Sequence, residues 1–333
     1  MSRVTGCYNL FQLKRCQMVS KKVAFIFPGQ GSQKVGMGKD LYESNKYAKK
    51  VFSYANDILG KDIADICFIG GEERLKQTVN TQPALVAMSI AALEALKSKC
   101  KIEPAFVAGH SLGEYCALFA SGVMDLKTTF LAIQKRAELM QNASKGGKMA
   151  AVLNASEDVL EKGLEEGRKL GYVDVANYNS PVQVVITGDE EAVDKVGEYV
   201  LANGARRYVP LAVSGAFHSK YMESASLEFD EFLHNLNLND AKIPVITNVD
   251  AEITTKAEDF REKMPRQISS SVHWTQTIQK MYQNGVEHFI EIGSGQVLAG
   301  LNKKIIPDSK VYNVYDAESL EHTVEVLKKE GVI

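Results

Sequence analysis

The stretch AFVAGHSLGEYCAL, residues 105–118, constrains the fold of this chain more than any other segment. An apolar run ends in Gly109-His110-Ser111-Leu112-Gly113, and a helical pattern follows immediately. A strand that passes into a helix through Gly-x-Ser-x-Gly is typical of a nucleophile elbow, a sharp turn that exposes the serine hydroxyl. A simpler alternative is a tight turn whose serine caps the helix, and the residues alone leave that alternative open.

The order of apolar and amphipathic segments predicts an α/β fold with a mostly parallel sheet. The run Val23–Phe27 is apolar throughout, as in strands that are buried on both faces. Helical patterns at 38–59 and 82–99 separate it from the strand at 105–109, so strands and helices alternate. After residue 211 the alternation resumes. The predicted helices there are 219–237 and 258–284, and the predicted strands are 244–249 and 288–293. A last helix ends the chain.

The middle of the chain predicts a second, smaller unit. Its predicted strands and helices, in chain order, are 149–153, 156–169, 172–179, 182–188, 190–203 and 206–211. The order βαββαβ is that of a ferredoxin-like domain. We therefore expect a discontinuous α/β core of residues 21–146 and 212–333, with a ferredoxin-like domain of residues 147–211 inserted. Residues 1–20 are expected to be a disordered extension.

A serine in an elbow needs a general base, and the chain has six histidines. His218, in VSGAFHSKY, lies in a predicted loop after a strand, where sheet proteins place functional groups. It is the best candidate, whereas His110 is expected to shape the turn. The N–H of Leu112, at the open start of the helix, is a predicted oxyanion donor. The remaining histidines are expected at the surface or packed at element edges: His234, His273, His288 and His322.

Arg136 stands in the middle of an apolar helix face. The residues three and four positions away on either side are Ala132, Ile133, Leu139 and Met140. A buried guanidinium requires an anion, because an unpaired buried charge costs about 3–5 kcal/mol. That anion is either a carboxylate of the protein or a carboxylate of the substrate, and the sequence pattern favours neither.

Several function classes are excluded by composition and spacing. The formal net charge of −2 gives no basic field for nucleic acid, and no apolar run reaches the roughly 18 residues of a membrane span. The five cysteines lack metal-ligand spacing, which predicts a reduced, metal-free cytoplasmic protein. The loop FPGQGSQ, residues 27–33, matches neither nucleotide-binding fingerprint but brings the Gln30 backbone close to any ligand.

The chain carries a set of motifs in one order: FPGQGSQ (27–33), TQPAL (81–85), GHSLGEY (109–115), Arg136 in its helix, GAFHS (215–219) and EIGSGQVLAGL (291–301). With these motifs the chain resembles the malonyl-CoA:acyl-carrier-protein transacylase family over about residues 22–306. The resemblance implies that Ser111 is the nucleophile and His218 its base. It also implies that the N–H groups of Gln30 and Leu112 form the oxyanion hole.

The resemblance implies further roles. The histidine is oriented by a main-chain carbonyl rather than by an acid, and the sequence RQI places that role on Gln267. An aromatic residue before the histidine favours malonyl over methylmalonyl groups. The implied pocket residues, with Arg136 on the malonyl carboxylate, are Gln82, His110, Arg136, Met140 and Phe217.

The implied activity is ping-pong transfer of malonyl from malonyl-CoA to the phosphopantetheine thiol of holo-acyl carrier protein, in fatty-acid synthesis. Coenzyme A is the product, no cofactor or metal is expected to be bound, and the chain is expected to act as a monomer. Lys303 and Lys304 are predicted to dock the carrier protein, although an ordinary solvated helix face explains them equally well. The alternatives are a serine hydrolase or thioesterase on a related elbow, and a non-catalytic carrier-binding module.

Overall fold

The computed structural model describes residues 21–144, 146–213 and 215–333. The predicted extension, residues 1–20, lies outside the described residues. The strands are β1 (Lys22–Phe27), β2 (Phe106–Gly109), β3 (Lys148–Leu153), β4 (Val173–Ser180), β5 (Gln183–Gly188), β6 (Arg207–Pro210), β7 (Val245–Ile246), β8 (Ile253–Thr254), β9 (Val286–Ile292) and β10 (Lys310–Val314).

The helices alternate with these strands over most of the chain. They are α1 (Lys39–Ser44), α2 (Lys46–Leu59), α3 (Ile63–Phe68), α4 (Glu72–Lys76), α5 (Thr78–Lys99), α6 (Gly113–Ala120), α7 (Leu126–Ala143), α8 (Glu157–Arg168), α9 (Glu190–Ala202), α10 (Glu223–Leu233), α11 (Ala257–Ser269), α12 (Trp274–Gln283), α13 (Val297–Ile305) and α14 (Ala317–Lys329). A short 3₁₀ turn, Lys220–Met222, precedes α10.

The larger sheet has the strand order β10-β9-β1-β2-β7-β8, and only β8 runs antiparallel to its neighbour. Strand β1 lies between β9 and β2, and its apolar residues are buried as predicted. Successive residues of a strand point to opposite faces, so Phe25 and Phe27 enter one apolar core while Ala24 and Ile26 enter another. The predicted α/β fold with a mostly parallel sheet is confirmed.

The longest helix, α5, is a core helix. Its 22 residues are long and apolar enough to cross a membrane, with a mean hydropathy of 1.2, although the sequence pattern predicted no segment of that kind. However, 89% of its apolar stretch is buried inside the fold. The helix predicted over 82–99 is present, but it begins four residues earlier, at Thr78, and it is buried on nearly all sides, with no continuous polar face.

Two long predicted helices are each divided into two. The pattern at 38–59 is interrupted at Asn45, whose side chain accepts hydrogen bonds from the Tyr47 and Ala48 N–H groups and so begins α2. The pattern at 258–284 is interrupted at residues 270–273, which are not helical and connect α11 to α12. The prediction did not include α3, α4, β8 or β10, and it gave one helix after β9 where the structure has α13 and α14.

The smaller sheet is antiparallel and has the order β4-β5-β3-β6. Its chain order with α8 and α9 is βαββαβ, as predicted. One face packs against both helices through an apolar cluster that includes Leu164, Val196 and Ile186. The other face presents Met149, Ala151 and Val185 to a cavity shared with the larger sheet.

Strand β4 is also bound to the segment between α11 and α12. The Tyr178 N–H donates to the Val272 carbonyl at 2.9 Å, and the Val272 N–H donates to the Ala176 carbonyl at 2.8 Å. The Thr275 hydroxyl donates to the Tyr178 carbonyl at 3.0 Å. The smaller sheet is therefore joined by hydrogen bonds to residues 272–275, which follow it in sequence by about 60 residues and lead from α11 into α12.

Candidate active site

The turn between β2 and α6 has the geometry of a nucleophile elbow. Ser111 has a φ of 51°, in the left-handed region that side chains rarely adopt. The glycines on either side permit this turn. A Cβ on Gly109 would overlap the backbone of Gly113, and a Cβ on Gly113 would overlap the carbonyl oxygens of Phe27 and Pro28. The strand, the turn and the helix are therefore packed too closely for any side chain at these two positions.

His218 is hydrogen-bonded to Ser111, as the sequence predicted for a base. Ser111 Oγ and His218 Nε2 are 2.8 Å apart. His218 Nδ1 lies 3.0 Å from the carbonyl oxygen of Gln267 and 3.1 Å from that of Ser270. Because both carbonyls only accept, Nδ1 carries the proton and Nε2 presents its lone pair to the serine hydroxyl.

The imidazole is held in its neutral form. His218 is 6% exposed, and burial, followed by the positive charge of Arg136, lowers its pKa to about 3. A neutral imidazole at neutral pH can accept the serine proton. The sequence placed the orienting carbonyl on Gln267, and the structure places the Ser270 carbonyl beside it.

Two backbone N–H groups near the serine have no acceptor among the described residues: those of Gln30 and Leu112. The N–H of Ser111 itself donates to Asn248 Oδ1 at 2.7 Å. The loop that carries Gln30 packs on the elbow, since a Cβ on Gly29 would lie 2.5 Å from the His110 carbonyl oxygen. Gln30 and Ser111 line the same cavity.

Arg136 points from α7 to the serine and is 1% exposed. Its Nη1 donates to Gln82 Oε1 at 2.6 Å, and its Nη2 donates to Ser111 Oγ at 3.0 Å and to Gln267 Oε1 at 3.1 Å. The ring of Tyr115 lies 5.6 Å from the guanidinium carbon. No carboxylate among the described residues lies within 4.0 Å of the guanidinium.

The other predicted pocket residues line one cavity of about 410 Å³ beside the serine. His110 Nε2 is 2.7 Å from Asn179 Oδ1, and the His110 ring lies 5.7 Å from the Trp274 ring. Gln82 Nε2 lies 3.5 Å from the sulfur of Met140. The predicted residues that line this cavity are Gln30, Gln82, His110, Ser111, Arg136, Met140, Phe217 and His218.

The predicted docking residues lie further out. Lys303 and Lys304 are exposed in the last turn of α13, whereas the cavity is lined by Val297, Leu298 and Leu301 of that helix. The described part of the chain contains no group of three or more histidine, cysteine or acidic side chains that could hold a metal.

Sequence reasoning missed three polar contributors. Asn248, at the end of the strand predicted over 244–249, binds the Ser111 backbone. Asn179 of β4 contacts His110, and the Gln267 side chain donates to the Ser111 carbonyl at 2.9 Å. The position of Asn248 just after β7, which is adjacent to β2, was a usable signal, because functional groups gather at the carboxyl ends of parallel strands.

Comparison with known proteins gives a consistent result. The acyl transferase domain family matches residues 24–320. The malonyl CoA-acyl carrier protein transacylase of Bacillus subtilis is 43% identical over 316 residues, which is 93% of this chain and 98% of that protein. That of Synechocystis is 42% identical over 300 residues, covering 90% of this chain and 99% of that protein.

Solved structures agree. An acyl carrier protein S-malonyltransferase from Vibrio cholerae superposes with a TM-score of 0.88 at 39% identity, covering 91% of this chain and 100% of that one. A malonyl-transacylase solved with its acyl-carrier protein superposes at 0.89 and 37% identity, covering 92% and 100%. With a hydrogen-bonded serine–histidine pair and a buried arginine at one elbow, and with relatives of this identity along nearly its whole length, the chain belongs to the malonyl CoA-acyl carrier protein transacylase family of acyltransferases.

Proposed function

We infer that this protein transfers the malonyl group from malonyl-CoA to the phosphopantetheine thiol of acyl carrier protein, through a malonyl ester on Ser111. The observation that carries this inference is the buried Arg136, whose Nη2 lies 3.0 Å from the serine oxygen and which forms no ion pair within 4.0 Å with any described carboxylate. Its close partners Gln82 and Gln267 are neutral amides, so an anionic acyl group can supply the missing charge.

Acylation begins with proton transfer from the Ser111 hydroxyl to His218 Nε2. The serine oxygen attacks the thioester carbonyl of malonyl-CoA, and the carbonyl oxygen becomes an oxyanion. The His218 imidazolium, held through Nδ1–H by the Gln267 and Ser270 carbonyls, then gives its proton to the leaving coenzyme A sulfur. The product of this half-reaction is malonyl-Ser111.

The N–H groups of Gln30 and Leu112 are the proposed oxyanion donors. Both lack another acceptor among the described residues, and Leu112 stands at the start of α6, where the helix dipole is positive. Donors of this kind are each worth about 10²–10³ in rate. The Ser111 N–H is not a candidate, because Asn248 already accepts its hydrogen bond.

Arg136 is the proposed binding group for the malonyl carboxylate. In malonyl-Ser111 one methylene separates the ester carbonyl from the carboxylate, so the carboxylate must lie within a few ångströms of the serine oxygen. The guanidinium occupies that position, and its fork can donate two charge-assisted hydrogen bonds to a planar carboxylate. Phe217 and Met140, which line the same cavity, bound the space for the methylene.

The second half-reaction runs in reverse. The phosphopantetheine thiol takes the place of coenzyme A, His218 accepts its proton, and the sulfur attacks the malonyl ester. The tetrahedral intermediate collapses to malonyl-thioester and Ser111, whose oxygen regains a proton from the imidazolium. An acyl carrier protein bound to its transacylase in a related structure supports this partner. Exposed Lys303 and Lys304 on α13 are proposed to receive it.

The described unit of β3–β6 with α8 and α9 is proposed to be an inserted ferredoxin-like domain, residues 147–211, within a core of residues 21–146 and 212–333. The sheet order β4-β5-β3-β6, with both helices on one face, supports that assignment. We further propose that the protein acts as a monomer, because the residues of one chain line the cavity beside Ser111, and that it acts in the cytoplasm.

The test is the intact mass of the protein after brief exposure to malonyl-CoA, compared with acetyl-CoA and with Ser111→Ala. We expect one malonyl adduct on the wild type, none on the variant, and loss of the adduct when holo-acyl carrier protein is added. A malonyl adduct that decays equally fast with and without carrier protein would indicate a hydrolase instead. Absence of any adduct on the wild type would contradict the assignment of the nucleophile.

A further inference from the structure

The backbone on both sides of Ser111 is held by side chains from distant segments. A non-glycine residue at a φ of 51° carries about 1–3 kcal/mol of strain and persists only where its surroundings enforce it. The Ser111 N–H donates to Asn248 Oδ1 at 2.7 Å, and the Ser111 carbonyl accepts from Gln267 Nε2 at 2.9 Å. These bonds fix the two peptide planes that determine where Oγ points.

The Asn248 amide binds the elbow at two points. Besides accepting from Ser111, its Nδ2 donates to the Gly109 carbonyl at 2.7 Å. Gly109 and Ser111 are the first and third residues of the turn, so one planar amide sets the distance between them. An asparagine supplies both an acceptor and a donor in this arrangement, which neither an aspartate nor an alanine can do at neutral pH.

Glu114 holds the asparagine in turn. Its Oε2 accepts from the Asn248 N–H at 2.7 Å, and both side chains are buried. Glu114 lies in the first turn of α6, the helix that begins at the elbow. Contacts therefore run from the elbow to Asn248 and from Asn248 back to the elbow's own helix, through the buried side chains of Asn248 and Glu114.

We propose that Asn248 is a positioning residue for acyl transfer, which holds Ser111 in its strained conformation and directs Oγ toward His218, and that Glu114 supports Asn248. The proposal rests on the proposed function, since it concerns the nucleophile of that reaction. It assigns the buried carboxylate a task outside the proton transfers. It also explains why the Ser111 N–H takes no part in the oxyanion hole.

The experiment measures the single-turnover release of coenzyme A at increasing malonyl-CoA concentrations. For Asn248→Ala we expect the limiting acylation rate to fall about 10²-fold, because displacement of a reacting group by about 1 Å has that effect. The half-saturating malonyl-CoA concentration should change less than about threefold, and the malonyl-to-acetyl ratio should stay as in the wild type, because Arg136 is untouched.

Asn248→Asp keeps the shape and the acceptor for the Ser111 N–H but loses the donor to Gly109. We expect an intermediate fall in the limiting rate, about tenfold, with unchanged half-saturation. Glu114→Gln retains an acceptor for the Asn248 N–H and should keep most of the rate, whereas Glu114→Ala should lose it. Thr323→Val is the control, because it removes a buried hydroxyl that donates to the Asn313 carbonyl far from the elbow.

A wild-type limiting rate in Asn248→Ala or in Asn248→Asp overturns the proposal. Equal effects on the limiting rate and on half-saturation, or a changed malonyl-to-acetyl ratio, overturn it as well, because the residue would then act on substrate binding. If neither Asn248 variant folds, the contact is structural and the proposal is wrong. If the wild type itself forms no malonyl adduct, it is the proposed function that fails.

Discussion

Removal of the buried guanidinium should abolish the preference for malonyl over acetyl groups. Arg136 can donate two charge-assisted hydrogen bonds to the malonyl carboxylate, each worth about 1.5–3 kcal/mol. Arg136→Ala should therefore lose about 3–6 kcal/mol of transition-state stabilisation with malonyl-CoA, which corresponds to about 10²–10⁴ in kcat/KM. With acetyl-CoA the variant should keep or gain rate, because an acetyl group leaves the buried charge of the native arginine unpaired.

The assay is kcat/KM for malonyl-CoA and for acetyl-CoA, both with holo-acyl carrier protein as acceptor. Arg136→Lys should fall between wild type and Arg136→Ala, because an ammonium keeps the charge but lacks the planar fork. Arg261→Ala is the control. Its guanidinium donates to the carbonyl of Leu233, the last residue of α10, and to that of Leu236 beyond it, so its loss should lower stability without changing the ratio. An unchanged malonyl-to-acetyl ratio in Arg136→Ala would refute the assignment.

Further predictions concern the base His218, the turn that carries Ser111, and the two proposed docking lysines. The His218 imidazole should show no NMR titration between pH 5 and 8, because its pKa, lowered to about 3, keeps it neutral over that range. It should gain a proton only in stronger acid, and a titration midpoint near pH 6.5 would contradict this. Gly113→Ala should lower the free energy of unfolding by about 1–3 kcal/mol in urea titrations, whereas Gly300→Ala, whose Cβ meets open space, should not. Replacing Lys303 and Lys304 by glutamine should raise KM for carrier protein about two- to tenfold and leave acylation by malonyl-CoA unchanged; equal effects on both steps would reject their docking role.

The sequence predicted the elements whose patterns are local. The strand Val23–Phe27 and the elbow each depend on a few consecutive residues, and the structure has both. The place of Arg136 on an apolar helix face followed from the helical period, and its neighbours Ala132 and Ile133 are buried. By contrast, the break between α11 and α12 lies at a run of serines, and the hydrophobic periodicity predicted one continuous helix across it.

Contacts between distant segments were out of reach. Asn248 lies 137 residues from Ser111, and Gln267 lies 156 residues from it. Their side chains meet the serine only because β7 pairs with β2 and because α11 packs nearby, and neither fact is written in any local pattern. The resemblance to known transacylases supplied the Gln267 carbonyl, whereas the role of the Gln267 side chain emerged only from the fold. For Asn248 the sequence offered its place at the end of a predicted strand, but not its contact with Ser111.

The hydrogen bonds between β4 and residues 271–275 have a consequence for protein engineering. The Ser270 carbonyl, which accepts from His218, lies immediately before that segment. A chimaera that exchanges residues 147–211 between relatives would therefore place a foreign strand against Val272 and Thr275. These residues follow closely after Ser270, whose carbonyl orients His218. If residues 270–275 are exchanged together with the smaller sheet, the hydrogen bonds between β4 and residues 271–275 join segments from the same protein. The two stretches are therefore best exchanged together.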